Sequence, residues 1–192
     1  MSAPPRPPGW DGAGSRSGGG IASGHGDRST GYRAEGLRAV RRRWASGVAV
    51  VTTRDVAGFR GATVSAFTPV SLEPPLVLIC LERTGRLAEL IPRAGVFAVS
   101  ILGRDQTVLA DRFAGLGPVP DARLTGIPHA VAANGCPVIA GALAWLACRV
   151  VAIHEGGDHL VVVGAVAESG LGPDTDDPLL NYEGRYRAIE GG

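Results

Sequence analysis

Neither sign of charge dominates this chain: Lys and Arg total 19, Asp and Glu total 18, and the formal net charge is +1. A broad nucleic-acid footprint needs an excess of cations to displace counterions from phosphates, so near-neutrality argues against that class of partner and leaves room only for a local basic cluster. No apolar run approaches the roughly 20 residues that a membrane helix requires, so no membrane association is expected. Arginines stand near the N-terminus, but no apolar stretch follows them, so a secretory leader is not expected. Cysteine is scarce as well. Cys80, Cys136 and Cys148 form no CxxC pair, and their odd number argues against a disulfide scaffold or a four-cysteine zinc site. They are expected as small buried apolar side chains in a reducing cytoplasm.

The common reactive motifs are missing too. Gly24-x-Gly26 is followed by Ser29 where a dinucleotide fingerprint needs glycine, and no strand precedes it. His154-Glu155 and His159 resemble a zinc-protease motif, but they are one residue out of register and flank a turn, so no metal is expected. No G-x-S-x-G elbow occurs, and no cysteine stands in a catalytic setting.

What is present divides into two parts. Residues 1–32 are rich in Gly, Pro, Ser and Arg and poor in large aliphatics, so they cannot bury enough apolar area to offset chain entropy and are expected to lack structure. Residues 33–192 are expected to form one folded domain. Leu37, Val40 and Trp44 predict a short amphipathic helix over 35–45. Strands are expected from Gly47, over 59–68, over 75–82 and over 95–102, with short helices over 86–91 and 104–113. The Glu73-Pro74-Pro75 segment must be extended or turning. Residues 115–135 carry no clear signal. Two long apolar strands, 142–154 and 159–166, flank Glu155-Gly156-Gly157-Asp158, a turn whose glycines tolerate positive φ. Short strands with few helical crossovers predict a mainly β fold, an antiparallel barrel decorated by short helices.

Two segments attract attention as binding elements. Thr63 and Ser65 share one face of a strand read through Thr68, although two hydroxyls there also suit an ordinary surface strand. Arg83-Thr84-x-Arg86, where a strand ends and a helix begins, combines a hydroxyl, two cations and free helix N-terminal amides, which suits a phosphate.

The order of the segments is more specific than any one of them. GVAVVTT, GATVSAFTPVSLEPPLVLICLERTGRL, FAVSIL, RF, GGDHLVVVGAV and PLLNYEGRYRAI follow one another from about Leu37 to Ile189. In this the chain resembles the short-chain flavin reductase family. The resemblance implies a homodimeric FMN-binding split β-barrel that uses NADH or NADPH to reduce free FMN or FAD and supplies it to a partner monooxygenase. It also implies that Thr63, Val64, Ser65, Ala66 and Phe67 line the flavin. Leu81, Glu82, Arg83, Thr84 and Arg86 would hold its phosphate, with Arg112 and Phe113 close by. Asp158, His159 and Tyr186 would lie on the nicotinamide side, with His159 orienting that ring or relaying a proton. No covalent nucleophile is then needed, because the two cofactors carry the chemistry when stacked roughly 3–3.5 Å apart.

Three positions depart from the family's pattern: Ala66 and Pro69 stand where serines are common, and Ser100 where asparagine is usual. A non-reductase flavin-binding split barrel, a deazaflavin-using oxidoreductase and a ligand-free structural dimer remain as alternatives.

Overall fold

The computed structural model describes residues 29–116, 123–173 and 177–189. The stretch expected to lack structure lies outside the described residues as far as residue 28. Its last four residues instead open a helix, α1 (Ser29–Arg42). That helix stops before Ala45 because the amides of Arg43 and Trp44 reach back only three residues, to Val40 and Arg41, and tighten the last turn. Its apolar stripe does not pack inward: Leu37, Val40 and Trp44 are 68%, 69% and 77% exposed. The helix is moored at its C-terminal end, where the Glu183 amide donates to the Arg42 carbonyl (3.0 Å) and Arg43 pairs with Glu183 (2.9 Å).

Strands follow in quick succession: β1 (Ser46–Gly47), β2 (Ala49–Asp55), β3 (Gly58–Val64), β4 (Phe67–Leu72) and β5 (Pro75–Glu82). The single strand expected over 59–68 is therefore two. A break at Ser65-Ala66 separates them, and the second runs on to Leu72. Glu73-Pro74 forms the tight turn into β5. Next come α2 (Arg86–Ala94), β6 (Val96–Ile101), α3 (Thr107–Phe113), β7 (His129–Val131) and β8 (Pro137–Ile139). The long hairpin of β9 (Ala144–Gly156) and β10 (His159–Leu171) turns on Gly157 and Asp158, with Gly157 at φ 71°. A small hairpin, β11 (Leu180–Tyr182) and β12 (Arg185–Arg187), forms the tail.

Seven strands make one antiparallel sheet in the order β3-β2-β6-β9-β10-β5-β4. Its two edge strands, β3 and β4, are consecutive in the chain and joined by only Ser65 and Ala66. The sheet must therefore curl until its edges meet at that corner, where the Cys80 amide donates to the Ala66 carbonyl (3.0 Å). Beyond the corner the edges diverge, which is the split of a split barrel.

Inside the curl, Val51, Val77, Ile79, Phe97, Val99 and Val162 pack with Leu87 and Ile91 of α2. Val50 points the opposite way along β2, into a second cluster with α3 and the tail. Burial on both faces explains the unbroken apolar run at the start of β2. The buried hydroxyls are satisfied: Thr53 donates to the Val96 carbonyl (2.8 Å), and Ser100 accepts from the Ile139 amide (3.0 Å). Ser100 thus supports the core beneath β8, which accounts for one of the departures from the family pattern.

Candidate active site

Where the sheet edges diverge, a cleft of about 510 Å³ opens between β3, the end of β5, the start of α2 and the end of α3. Its lining includes Gly61 through Ala66, Cys80 through Glu82, Gly85 through Ala88, Arg112 through Gly115, Arg41 and His159. Of the residues singled out from sequence, Thr63, Val64, Ser65, Ala66, Leu81, Glu82, Arg86, Arg112, Phe113 and His159 converge on it.

The remaining five stand elsewhere. Phe67 faces a neighbouring groove with Trp44, Leu78 and Ile101. Arg83 pairs with Glu155 (3.3 Å), and its amide donates to the Asp158 carbonyl (3.0 Å), so it ties the end of β5 to the β9–β10 turn. The Thr84 hydroxyl is taken by the Glu82 carboxylate (2.9 Å). Asp158 stands beside His159 on the solvent side. Tyr186 lies away from the cleft, against the second core cluster.

Thr63 lines the cleft, but its hydroxyl donates to the Ala110 carbonyl (2.7 Å) and clamps β3 to α3. The shared strand face expected for Thr63 and Ser65 does not exist, because the strand ends at Val64. What this segment offers instead is its backbone at the Ser65-Ala66 break, an edge with room for a ligand's polar rim.

Phe113, almost fully buried, forms part of the floor. Its position depends on Gly61: a Cβ there would stand 2.9 Å from the ring's Cε1. This close approach is the physical reason for a glycine inside β3. At the far end, α2 begins at Gly85 with no side chain capping its N-terminus. The dipole of those first-turn amides and the Arg86 guanidinium, which is shared between Glu89 and Asp55 (3.7 Å), make an electropositive corner. Arg112 reaches the Thr125 carbonyl (2.9 Å) while lining the cleft.

His159 is the first residue of β10, opposite Glu82 of β5. Its Nδ1 lies 2.7 Å from the Asp158 carboxylate. That hydrogen bond holds the Asp158 carboxyl below the usual carboxylate range, with smaller help from the charges of His159 and of Arg38 on α1. An ionised carboxylate only accepts, so the imidazole donates to it from Nδ1. Among the described residues, no group of three or more His, Cys, Asp or Glu is placed to hold a metal, and no helix is long and apolar enough to cross a membrane.

Sequence reasoning missed Arg41, Gly61, Cys80 and Gly85. Gly61 and Gly85 were legible as glycines at element boundaries, whereas Arg41 was one arginine among four on its helix and nothing local distinguished it. The arrangement suits a planar, partly apolar ligand with a phosphate at the α2 corner and a second ring near His159.

Residues 41–190 match the family model described as the flavin reductase like domain. The chain is 40% identical over 157 residues to an NADH-dependent flavin reductase of a Rhodococcus species, covering 80% of this chain and 85% of that protein. It is 36% identical over 155 residues to the reductase subunit of a flavin-dependent monooxygenase from Rhodococcus jostii, covering 80% of this chain and 77% of that protein. Among solved structures, an NADH:FAD oxidoreductase of Streptomyces globisporus superposes with a TM-score of 0.76 at 33% identity, covering 90% of this chain and 96% of that one.

Proposed function

Because this chain belongs to the flavin reductase-like family, we propose that it is an NAD(P)H:flavin oxidoreductase that reduces free FMN or FAD and passes it to a partner monooxygenase. The observation that carries the reading is the convergence of an apolar floor, an uncapped helix N-terminus and His159 on one cleft.

The cleft fits a flavin. Phe113, Leu81 and Leu87 present apolar surface to a ring, the Ser65-Ala66 break presents backbone to its polar edge, and the α2 corner suits its phosphate. Bound flavin supplies a ring nitrogen, N5, that accepts hydride from nicotinamide C4. The chain's own work is positioning. Gly61 and Phe113 set the depth at which a ring lies. Arg86 and the first-turn amides of α2 anchor the phosphate end. His159, steadied by Asp158, orients the nicotinamide or relays a proton. The Arg83–Glu155 pair keeps the hairpin that carries His159 docked on β5.

We place this chemistry in the catalytic unit 33–192, working as a homodimer in the cytoplasm. Exposed Leu37 and Val40 of α1 and Val151 and Ile153 of β9 supply apolar surface for a second copy, and the three free thiols suit a reducing compartment. The test follows NADH and NADPH oxidation at 340 nm with FMN, FAD or riboflavin added. Rapid flavin-dependent turnover is expected. Tight flavin binding with no turnover would leave only a flavin-binding barrel.

A further inference from the structure

Helix α2 borders a second hollow that the reductase reading leaves unused. It is a trench of about 470 Å³ between α2 and the tip of the β2–β3 hairpin, walled by Arg54, Asp55 and Val56 on one side and by Arg86, Leu90 and Arg93 on the other. Positions 86, 90 and 93 share one helical face, which is why one wall of the trench is drawn from them. Leu90 is buried, whereas the three arginines are exposed.

The charges around the trench do not balance. The Asp55 side chain is only 8% exposed; it accepts from the Val56 amide (2.7 Å) and lies 3.7 Å from Arg86 and 3.9 Å from Arg60. Glu89 holds both Arg86 and Arg93, the latter at 2.9 Å. Arg54 has no carboxylate partner among the described residues, and its guanidinium lies over Gly135. Four guanidiniums thus stand against two carboxylates that are already engaged, and the excess positive charge faces a concavity. Guanidiniums take phosphate oxygens in bidentate pairs. Arg86 and Arg93 are seven residues apart, about 10 Å along the helix axis. That span suits a chain of linked phosphates better than a single one.

Arg86 also lines the cleft, at the corner that suits the flavin phosphate. The trench and the cleft therefore share one cation.

We propose that the trench binds a chain of linked phosphates, free or carried by a nucleoside, and that its occupant competes with the flavin phosphate for Arg86. The competition rests on the reductase reading; the binding site does not.

Inorganic tripolyphosphate is the probe, titrated calorimetrically into the full chain. Arg54→Ala and Arg93→Ala are each expected to weaken it about tenfold or more, the loss of one charge-assisted contact. Arg38→Ala, on α1, should leave it unchanged. The substituted positions are exposed, so thermal midpoints should stay within about 2 °C, as for ordinary surface substitutions. ATP that binds more tightly than tripolyphosphate, and is weakened by the same two variants, assigns the site to a nucleotide; equal affinity assigns it to the phosphate chain alone. In turnover, tripolyphosphate should raise the KM for FMN severalfold and leave that for riboflavin, which has no phosphate, unchanged. Arg54→Ala should keep the ordinary KM for FMN and lose this inhibition. Probe affinity unchanged in both trench variants overturns the site. Inhibition that persists undiminished in them places the probe in the cleft and overturns the competition, as does trench binding with no change in the KM for FMN. Trench binding in a protein that oxidises no NADH with any flavin sinks the reductase reading and leaves the site standing, so the two failures are distinct.

Discussion

The phenol of Tyr186 lies near the carboxylate of Asp111, a pairing that links the tail hairpin to the helix that carries Arg112 and Phe113. Tyr186 therefore acts on the cleft at one remove, by holding α3. Burial first, and then the Asp111 carboxylate, push its pKa up to about 12.

That shift makes an alkaline prediction. A folded pKa above the unfolded value, near 10, adds stability that is fully present below pH 10. It declines as the unfolded chain ionises, and is lost as pH rises through about 12. Tyr186→Phe should cost about 1 kcal/mol at neutral pH and flatten this alkaline limb. Urea midpoints measured between neutral and strongly alkaline pH test both effects, and an equally steep limb in the variant would refute the assignment.

His159 and Asp158 should separate in kinetics. His159→Ala is expected to lower kcat by about a hundredfold, the lower end for a positioned acid or base. Asp158→Asn, which frees the imidazole to rotate, should lower it less. Flavin affinity should hold in both. The Asp158 carboxyl is below its ordinary range, so its support is present above the unfolded value, near 4, and fades only as pH falls through the lower folded value. A pH–rate profile from 5 to 8 should therefore carry no Asp158 limb.

Two glycine substitutions should part stability from binding. Gly61→Ala drives a methyl into the Phe113 ring, and Gly164→Ala places one 2.5 Å from Cζ of Phe97. Each should cost about 1–3 kcal/mol by overpacking. Only Gly61→Ala should weaken flavin, because Phe113 lines the cleft and Phe97 does not. Flavin titrations of both proteins decide it.

Thiol chemistry gives a direct footprint. Cys80 lines the cleft, whereas Cys136 and Cys148 are buried, and burial with the neighbouring Cys136 pushes the Cys148 thiol to about 12. Thiolates are the reactive form. Iodoacetamide at pH 8 should label Cys80 before the other two, and FMN should slow that labelling. Mass spectrometry of the alkylated peptides reads the order.

Much of the architecture was legible because it rests on short-range signals. The β-branched runs gave β2 and β6, and Gly157-Asp158 gave the long hairpin, its first strand within two residues at each end and its second five residues short of Leu171. The break at Ser65-Ala66 was not legible. VSAFT keeps strand-like composition, and the bend exists because the sheet closes there. The outward face of α1 was likewise hidden, since an apolar stripe at helical spacing reads the same whether or not a surface awaits it. In the cleft, ten of the residues named from the family resemblance came together. Tyr186 and Arg83 did not, because their partners, Asp111 and Glu155, are remote in sequence and only the fold brings them within reach.

The strand order has a consequence for how the chain is made. The sheet's two outer pairs, β2 with β3 and β4 with β5, are complete by residue 82, yet they are joined through β6, β9 and β10, which end only at Leu171. During synthesis the two hairpins emerge early and must wait, with unsatisfied edges, for the central strands. Such long-range closure is slow and leaves aggregation-prone edges in the interval. The ligand slot is thus among the last features to mature: a chain that ends before residue 159 carries in its sequence every residue lining the slot except the imidazole, but lacks the strand that brings β5 against β9.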